Sequence, residues 1–156
     1  MNGTVTNRHD VLILFDVMNG NPNGDPDAGN MPRIDPNTNK GIVSDVCLKR
    51  KIRNYVLEFG PKEQRKPDAN GLNILVQQGA VLNERIEQGL KAAEAKLGAT
   101  APEDKQAEGA MLWLCREFYD IRTFGAVLST GAKNSKGKEP MKGSAFGQVR
   151  GPVQFT

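Results

Sequence analysis

From Asn19 to Gly41 the chain is made almost entirely of residues that helices and strand interiors reject. Asn19-Gly20-Asn21-Pro22-Asn23-Gly24-Asp25-Pro26-Asp27-Ala28-Gly29-Asn30 opens the stretch, and Pro32, Asp35, Pro36, Asn37 and Asn39 continue it. Gly supplies positive φ, Pro fixes φ and lacks an N–H, and Asn and Asp bond their own backbone, so this is dense turn chemistry. A loop of about twenty residues inside one domain is either functional or disordered. Before it, the apolar run Val11–Val17 is rich in β-formers and predicts a central strand buried on both faces.

After the loop the pattern changes to a helix. Ser44 is the predicted cap, with Asp45 in the positive first turn. Leu48, Ile52, Tyr55, Val56 and Phe59 recur at helical spacing and predict one apolar stripe, which Gly60-Pro61 terminates. The first turns also carry Lys49, Arg50, Lys51 and Arg53. Free N–H groups at a helix start, with cations one turn in, suit a phosphate chain. That favours nucleic acid over a small metabolite.

Residues 61–70 read as a polar loop and Leu72–Gln77 as an edge strand. Ile86, Leu90, Ala93 and Leu97 mark a second helix that stops at Gly98. A third opens at Pro102, with Ala107, Ala110, Met111, Leu114, Cys115 and Phe118 on one face. Trp113 lies off that stripe's centre and is assigned to packing ahead of base stacking. Arg122–Leu128 reads as a strand, Ser129–Gly147 as a Gly/Lys loop, and Gln148–Thr156 as a further strand with an edge or bulge at Pro152. The order strand, helix, strand, two helices, strand, strand predicts one α+β domain over 1–156. It fits a ferredoxin-like, RRM-type antiparallel sheet with helical and loop insertions, and other α+β arrangements share the order.

The formal net charge of +3 hides a segregation: −2 over residues 1–43, +4 over 44–66, −4 over 67–120 and +5 over 121–156. Two basic blocks divided by acidic helices predict a basic face; solvated surface charge is the plainer reading of either block. No run of about eighteen apolar residues marks a membrane span, and no basic-then-apolar start marks a secretory signal. Cys47 and Cys115 fall in predicted amphipathic helices and read as free thiols, which predicts a cytoplasmic protein. His9 is the only histidine, which rules out a His-rich metal site. A Walker-A loop, a dinucleotide fingerprint, a nucleophile elbow and the RNP-type aromatic signature are all absent.

Asp25-Pro26-Asp27-Ala28-Gly29-Asn30 begins like a calcium loop, but Gly29, Asn30 and Pro36 occupy the fifth, sixth and twelfth positions, where the loop needs a ligand, a glycine and a glutamate. Asp25, Asp27 and Asp35 could serve metal-dependent RNA cleavage; Asx turns account for the same residues. The expectation is therefore no metal, no cofactor and no catalysis. Lys133, Lys136, Lys138 and Lys142 alternate with Gly, Ser and Asn, which predicts a mobile loop that closes over phosphates, with Met141 and Phe146 free to stack on bases. The residues alone thus indicate an α+β domain that binds nucleic-acid phosphates, including the option of a general single-strand-binding module.

Leu12–Asn30, Pro32–Asp35, Ser44–Arg53, Asp120–Ala126 and Gly147–Gln154 together resemble the backbone subunit of the type I-C CRISPR Cascade complex, a RAMP-superfamily protein. Asn21–Pro26 and Cys47–Arg50 carry most of the specificity, and the resemblance runs to the last residue. It implies an RRM-like core and copies stacked head to tail in a helical filament on a guide CRISPR RNA. Other Cascade subunits would be partners, target DNA would be met through the guide's bases, and no membrane is involved. It implies that Ser44, Lys49, Arg50 and Arg53 meet guide phosphates. The loop through Asn21, Asn23, Gly24 and Arg33 would touch the guide or a neighbouring subunit, and Lys133, Lys136, Lys138, Lys142 and Arg150 complete the expected RNA-binding set. Related type III subunits cut RNA with a loop aspartate, which makes Asp25, Asp27 and Asp35 the residues of a competing nuclease reading. Family members extend well past Thr156, where a thumb hairpin and closing strands are expected. The chain is therefore expected to be an N-terminal part, with an open sheet edge and lowered solubility.

Overall fold

The structure is a computed structural model and describes residues 6–62 and 71–156. The chain forms two compact units, one ending at Ser44 and one running Asp45–Thr156. The polar loop expected at 61–70 lies largely outside the described residues. Among the described residues no helix is long and apolar enough to cross a membrane.

In the first unit, β1 (Gly24–Asp25) pairs antiparallel with β2 (Met31–Pro32), Gly24 facing Pro32 and Asp25 facing Met31. A 3-10 turn, Pro26–Ala28, joins them; Asp25 accepts from the Asp27 N–H at 3.2 Å, and Asn30 adopts a φ of 63° to close the hairpin. The long loop is therefore ordered by its own Asx chemistry. The strand expected at Val11–Val17 does not form. Leu12 and Leu14 are each 84% exposed, and no described strand pairs with the run. Its composition fits a strand, yet a strand needs a neighbour's ladder and a covering layer, and the described residues supply neither.

The second unit holds three long helices where the apolar spacing predicts them: α1 (Asp45–Phe59), α2 (Leu82–Leu97) and α3 (Glu103–Glu117). Ile86, Leu90 and Ala93 of α2 and Ala107, Ala110 and Leu114 of α3 are buried in one core. A Cβ on Gly89 would stand 2.9 Å from Leu114 Cγ, so this glycine permits the close helix contact. Burying each such Leu or Ile contributes roughly 1.5–3 kcal/mol. On α1, Leu48, Ile52 and Val56 are half-buried. Tyr55 and Phe59, expected on the same stripe, are exposed and lie against each other with ring centroids 4.8 Å apart.

The segment read as a strand from Arg122 to Leu128 is first a helix, α4 (Tyr119–Phe124), and only then β3 (Gly125–Val127). Arg122 explains the helix. Its guanidinium donates to the carbonyls of Cys115 (3.0 Å) and Arg116 (2.6 Å), which the end of α3 leaves open, and to the Gly71 carbonyl (2.8 Å). Gly125, at φ 82°, makes the switch, and a Cβ there would lie 2.3 Å from the Val149 carbonyl oxygen of β4 (Gln148–Arg150). β3 and β4 pair antiparallel, Gly125 with Arg150 and Val127 with Gln148. The described strands thus form two separate two-stranded sheets within an α+β fold.

The expected edge strand Leu72–Gln77 reduces to a single parallel bridge, Asn73 with Phe118. Its N–H groups go elsewhere. The Asp120 carboxylate, 1% exposed, accepts from Leu75 N (2.8 Å), Val76 N (3.0 Å) and Arg53 Nε (3.0 Å). One side chain on α4 thereby ties α1 and the 74–76 segment together. Arg53 and Lys49 also sit over the Phe124 ring, at 5.3 and 5.9 Å from its centroid. Asp120→Ala should cost about 3–5 kcal/mol in urea melts, because it strands a half-buried guanidinium and two N–H groups. Faster amide exchange at Leu75 and Val76 should accompany the loss, and wild-type stability would contradict this role.

Candidate nucleic-acid interface

α1 carries two kinds of cation. Lys49 pairs with Asp45 one turn earlier at 3.0 Å, and this hydrogen bond holds the Asp45 carboxyl below its ordinary pKa. Arg53, 13% exposed, is committed through Nε to Asp120. Arg50 and Lys51 are exposed and have no ion-pair partner among the described residues. Two of the four cations therefore brace the helix, and two stand open to solvent.

The loop from Ser129 to Gly147 differs from expectation. Ala132 and Met141 are core residues, each 1% exposed, and Phe146 packs against the core, so Met141 is not free to stack on a base. The loop is pinned along its length. Thr130 Oγ1 donates to Asn83 Oδ1, and Ser135 donates through N and Oγ to Glu94 Oε1. At its centre, buried Asn134 accepts the N–H groups of Lys136 (3.1 Å) and Lys138 (2.9 Å) through Oδ1. Its amide donates to Gln106 Oε1 at 2.8 Å. Gln106 in turn donates to the Ala101 carbonyl at 3.0 Å. A Gly/Lys sequence can hold one shape here because a buried amide satisfies the backbone that its small residues leave bare.

That shape sorts the four lysines. Lys138 pairs with Glu103 and Lys142 with Glu139. Lys133 and Lys136 are exposed without an ion pair among the described residues. Arg150 lies exposed at the end of β4.

In the first unit the predicted residues bind one another. Asn21 Nδ2 donates to the Asn30 carbonyl at 2.7 Å, and Asn23 Oδ1 accepts both the N–H and the hydroxyl of Ser44 at 2.9 Å. A Cβ on Gly24 would lie 1.9 Å from Asn30 Oδ1, so only glycine fits there without a shift. Arg33 Nη2 sits 3.5 Å from Asp25 Oδ1, while its Nε is buried without a partner. Asp35 accepts from Asn37 N and from the Thr38 hydroxyl, and the Thr38 bond foremost lowers its pKa. Asp25 and Asp35 thus serve turns, and among the described residues no three acidic, His or Cys side chains cluster to hold a metal.

Asp120, Gln106 and Asn134 organise these surfaces, and none of them was expected as a site residue, although Asp120 opens the Asp120–Ala126 motif that carries part of the resemblance. Gln106 left one trace: a polar residue one position before Ala107 and four before Ala110, on the inner face of α3. Asp120 left no such trace in spacing.

A helix and a loop that both offer open cations on an α+β scaffold define a candidate polyanion-binding protein. Residues 7–156 match the family described as CRISPR-associated protein Cas7, and the chain belongs to that family. It is 31% identical over 162 residues to the CRISPR-associated protein Cas7 of Haloferax volcanii. That alignment covers 97% of this chain and 42% of the relative, so the chain spans less than half of the relative's length.

Removing the loop's central amide should release it. Asn134→Ala is expected to cost about 1–3 kcal/mol in urea unfolding and to speed amide exchange at Lys136 and Lys138. Unchanged exchange at those two amides would show that the loop is held by other means.

Proposed function

We propose that this chain belongs to a non-catalytic, guide-RNA-binding backbone subunit of a type I-C CRISPR interference complex. In this reading it grips guide phosphates and leaves sequence recognition to the guide's own bases. The subunit would stack on further copies along the guide, join other subunits of the complex, meet target DNA through the guide and work in the cytoplasm. An RRM-type sheet in the assembled subunit belongs to the same reading.

The observation that carries the proposal is the pair of open cations, Arg50 and Lys51, on a helix braced by Arg53 and Asp120. Phosphate contacts need charge at a fixed height along the backbone more than a shaped pocket. Membership of the Cas7 family supports RNA as the polyanion. The turn-bound state of Asp25 and Asp35 supports a non-catalytic role over the nuclease reading.

RNA affinity against salt concentration tests this, with a CRISPR-repeat guide beside a random RNA of equal length. Arg50→Ala, Lys51→Ala, Lys133→Ala and Lys136→Ala should each flatten the log–log salt slope by roughly 0.7–1. Lys138→Ala, which removes an already paired cation, should flatten it less. The RNA should remain intact with magnesium present. Cleavage that disappears in Asp25→Ala, Asp27→Ala or Asp35→Ala would replace this reading with the nuclease one. Slopes unmoved by all four substitutions would place the phosphate path elsewhere, and equal affinity for both RNAs would favour a general single-strand binder.

A further inference from the structure

α1 ends in a feature that its packing does not use. Leu48, Ile52 and Val56 are half-buried, whereas Tyr55 and Phe59 stay 65% and 63% exposed. Their rings lie against each other, with centroids 4.8 Å apart and planes tilted by 37°. A lone exposed apolar side chain is ordinary on a protein surface. Two aromatic rings side by side on one helix face form a platform instead, each steadied by the other while most of its surface meets solvent.

Charge is arranged around this platform in order. Lys51, Tyr55 and Phe59 are four residues apart and stand in one row; Arg50, Asn54 and Glu58 form the row beside it. All six are exposed, and so is Lys62, three residues past Phe59. Arg50 and Lys51 have no ion-pair partner among the described residues, so open cations begin the two rows. Glu58, the one anion in them, stands at the ring end, which keeps phosphates to the Arg50 and Lys51 side. From Lys51 to Phe59 the helix rises about 12 Å, room for a phosphate at Lys51 and a base against the rings. This order selects the occupant. An apolar protein partner laid over the rings would draw the neighbouring cations out of water with nothing to pair them. A single strand of nucleic acid brings phosphates to the cations and a π-face to the rings. We propose that Tyr55 and Phe59 stack one base of a single-stranded RNA whose phosphates lie on Arg50 and Lys51. The inference rests on the phosphate path proposed for α1 and adds to it the place where a base is met.

The full chain is titrated with an RNA oligomer and with an abasic oligomer of equal length, which keeps the phosphates and lacks the bases. Tyr55→Leu and Phe59→Leu, both at exposed positions, should each weaken RNA binding by about tenfold. Affinity for the abasic oligomer and the log–log salt slope should stay unchanged. Tyr55→Phe and Phe59→Tyr, which keep a ring, should bind RNA as the parent does. Leu variants that hold RNA as tightly as the parent would overturn this inference alone and leave Arg50 and Lys51 on the phosphate path. An equal loss on both oligomers would also overturn it, since the rings would then support the helix and not a base. So would Leu variants that abolish a self-association seen without RNA, which would give the rings to a second copy. A parent chain that binds neither oligomer would overturn both the inference and the phosphate path beneath it.

Discussion

A single buried carboxylate organises the second unit. Asp120 stands on a short helix whose start is set by the break at Phe118, and it collects two backbone N–H groups and one guanidinium. A carboxylate taken out of water is costly unless it is paired and hydrogen-bonded, and here three donors, one of them a guanidinium, serve its two oxygens. The consequence runs in two directions. The 74–76 segment is held without a sheet neighbour, and α1, which has no fully buried residue, is fixed by charge and by cations over Phe124 more than by an apolar seam. A helix attached in this way can keep its outer face polar, and that face is where Arg50 and Lys51 stand.

The same division recurs in the basic loop. Lys138 and Lys142 spend their charge on neighbouring carboxylates, and Asn134 fixes the backbone at Lys136 and Lys138. Lys133 and Lys136 are left open on a preformed scaffold. Ordering a flexible loop upon binding costs entropy, so a loop already ordered by Asn134 and Gln106 loses less when it meets a polyanion. Braced cations and free cations are thus separate populations, and counting lysines alone does not distinguish them.

The three long helices were legible because their information is local. Ile86, Leu90 and Ala93, or Ala107, Ala110 and Leu114, declare a buried face by spacing alone. The turn chemistry of Asn19–Gly41 was legible for the same reason, since Asp25 and Asn30 act on residues next to them. Strands were not, because a strand is defined by its neighbour. Val11–Val17 has the composition without a partner among the described residues, and Leu75 and Val76 give their N–H groups to Asp120 instead of a ladder. In the candidate site, Arg50, Lys51, Lys133 and Lys136 were visible as charges. The pairing of Arg53 and Lys138 depended on Asp120 and Glu103, far away in sequence, whereas Lys49 and Lys142 pair with Asp45 and Glu139 within a few residues.

The most direct test of this account is a double-mutant cycle on Arg53→Met and Asp120→Asn, read by equilibrium unfolding. Both substitutions keep side-chain bulk, so the cycle isolates the charge pair. If Asp120 organises the unit through Arg53, the coupling energy should exceed about 1.5 kcal/mol. A coupling near zero, with each single variant as stable as the parent, would contradict it and leave α1 held by other contacts.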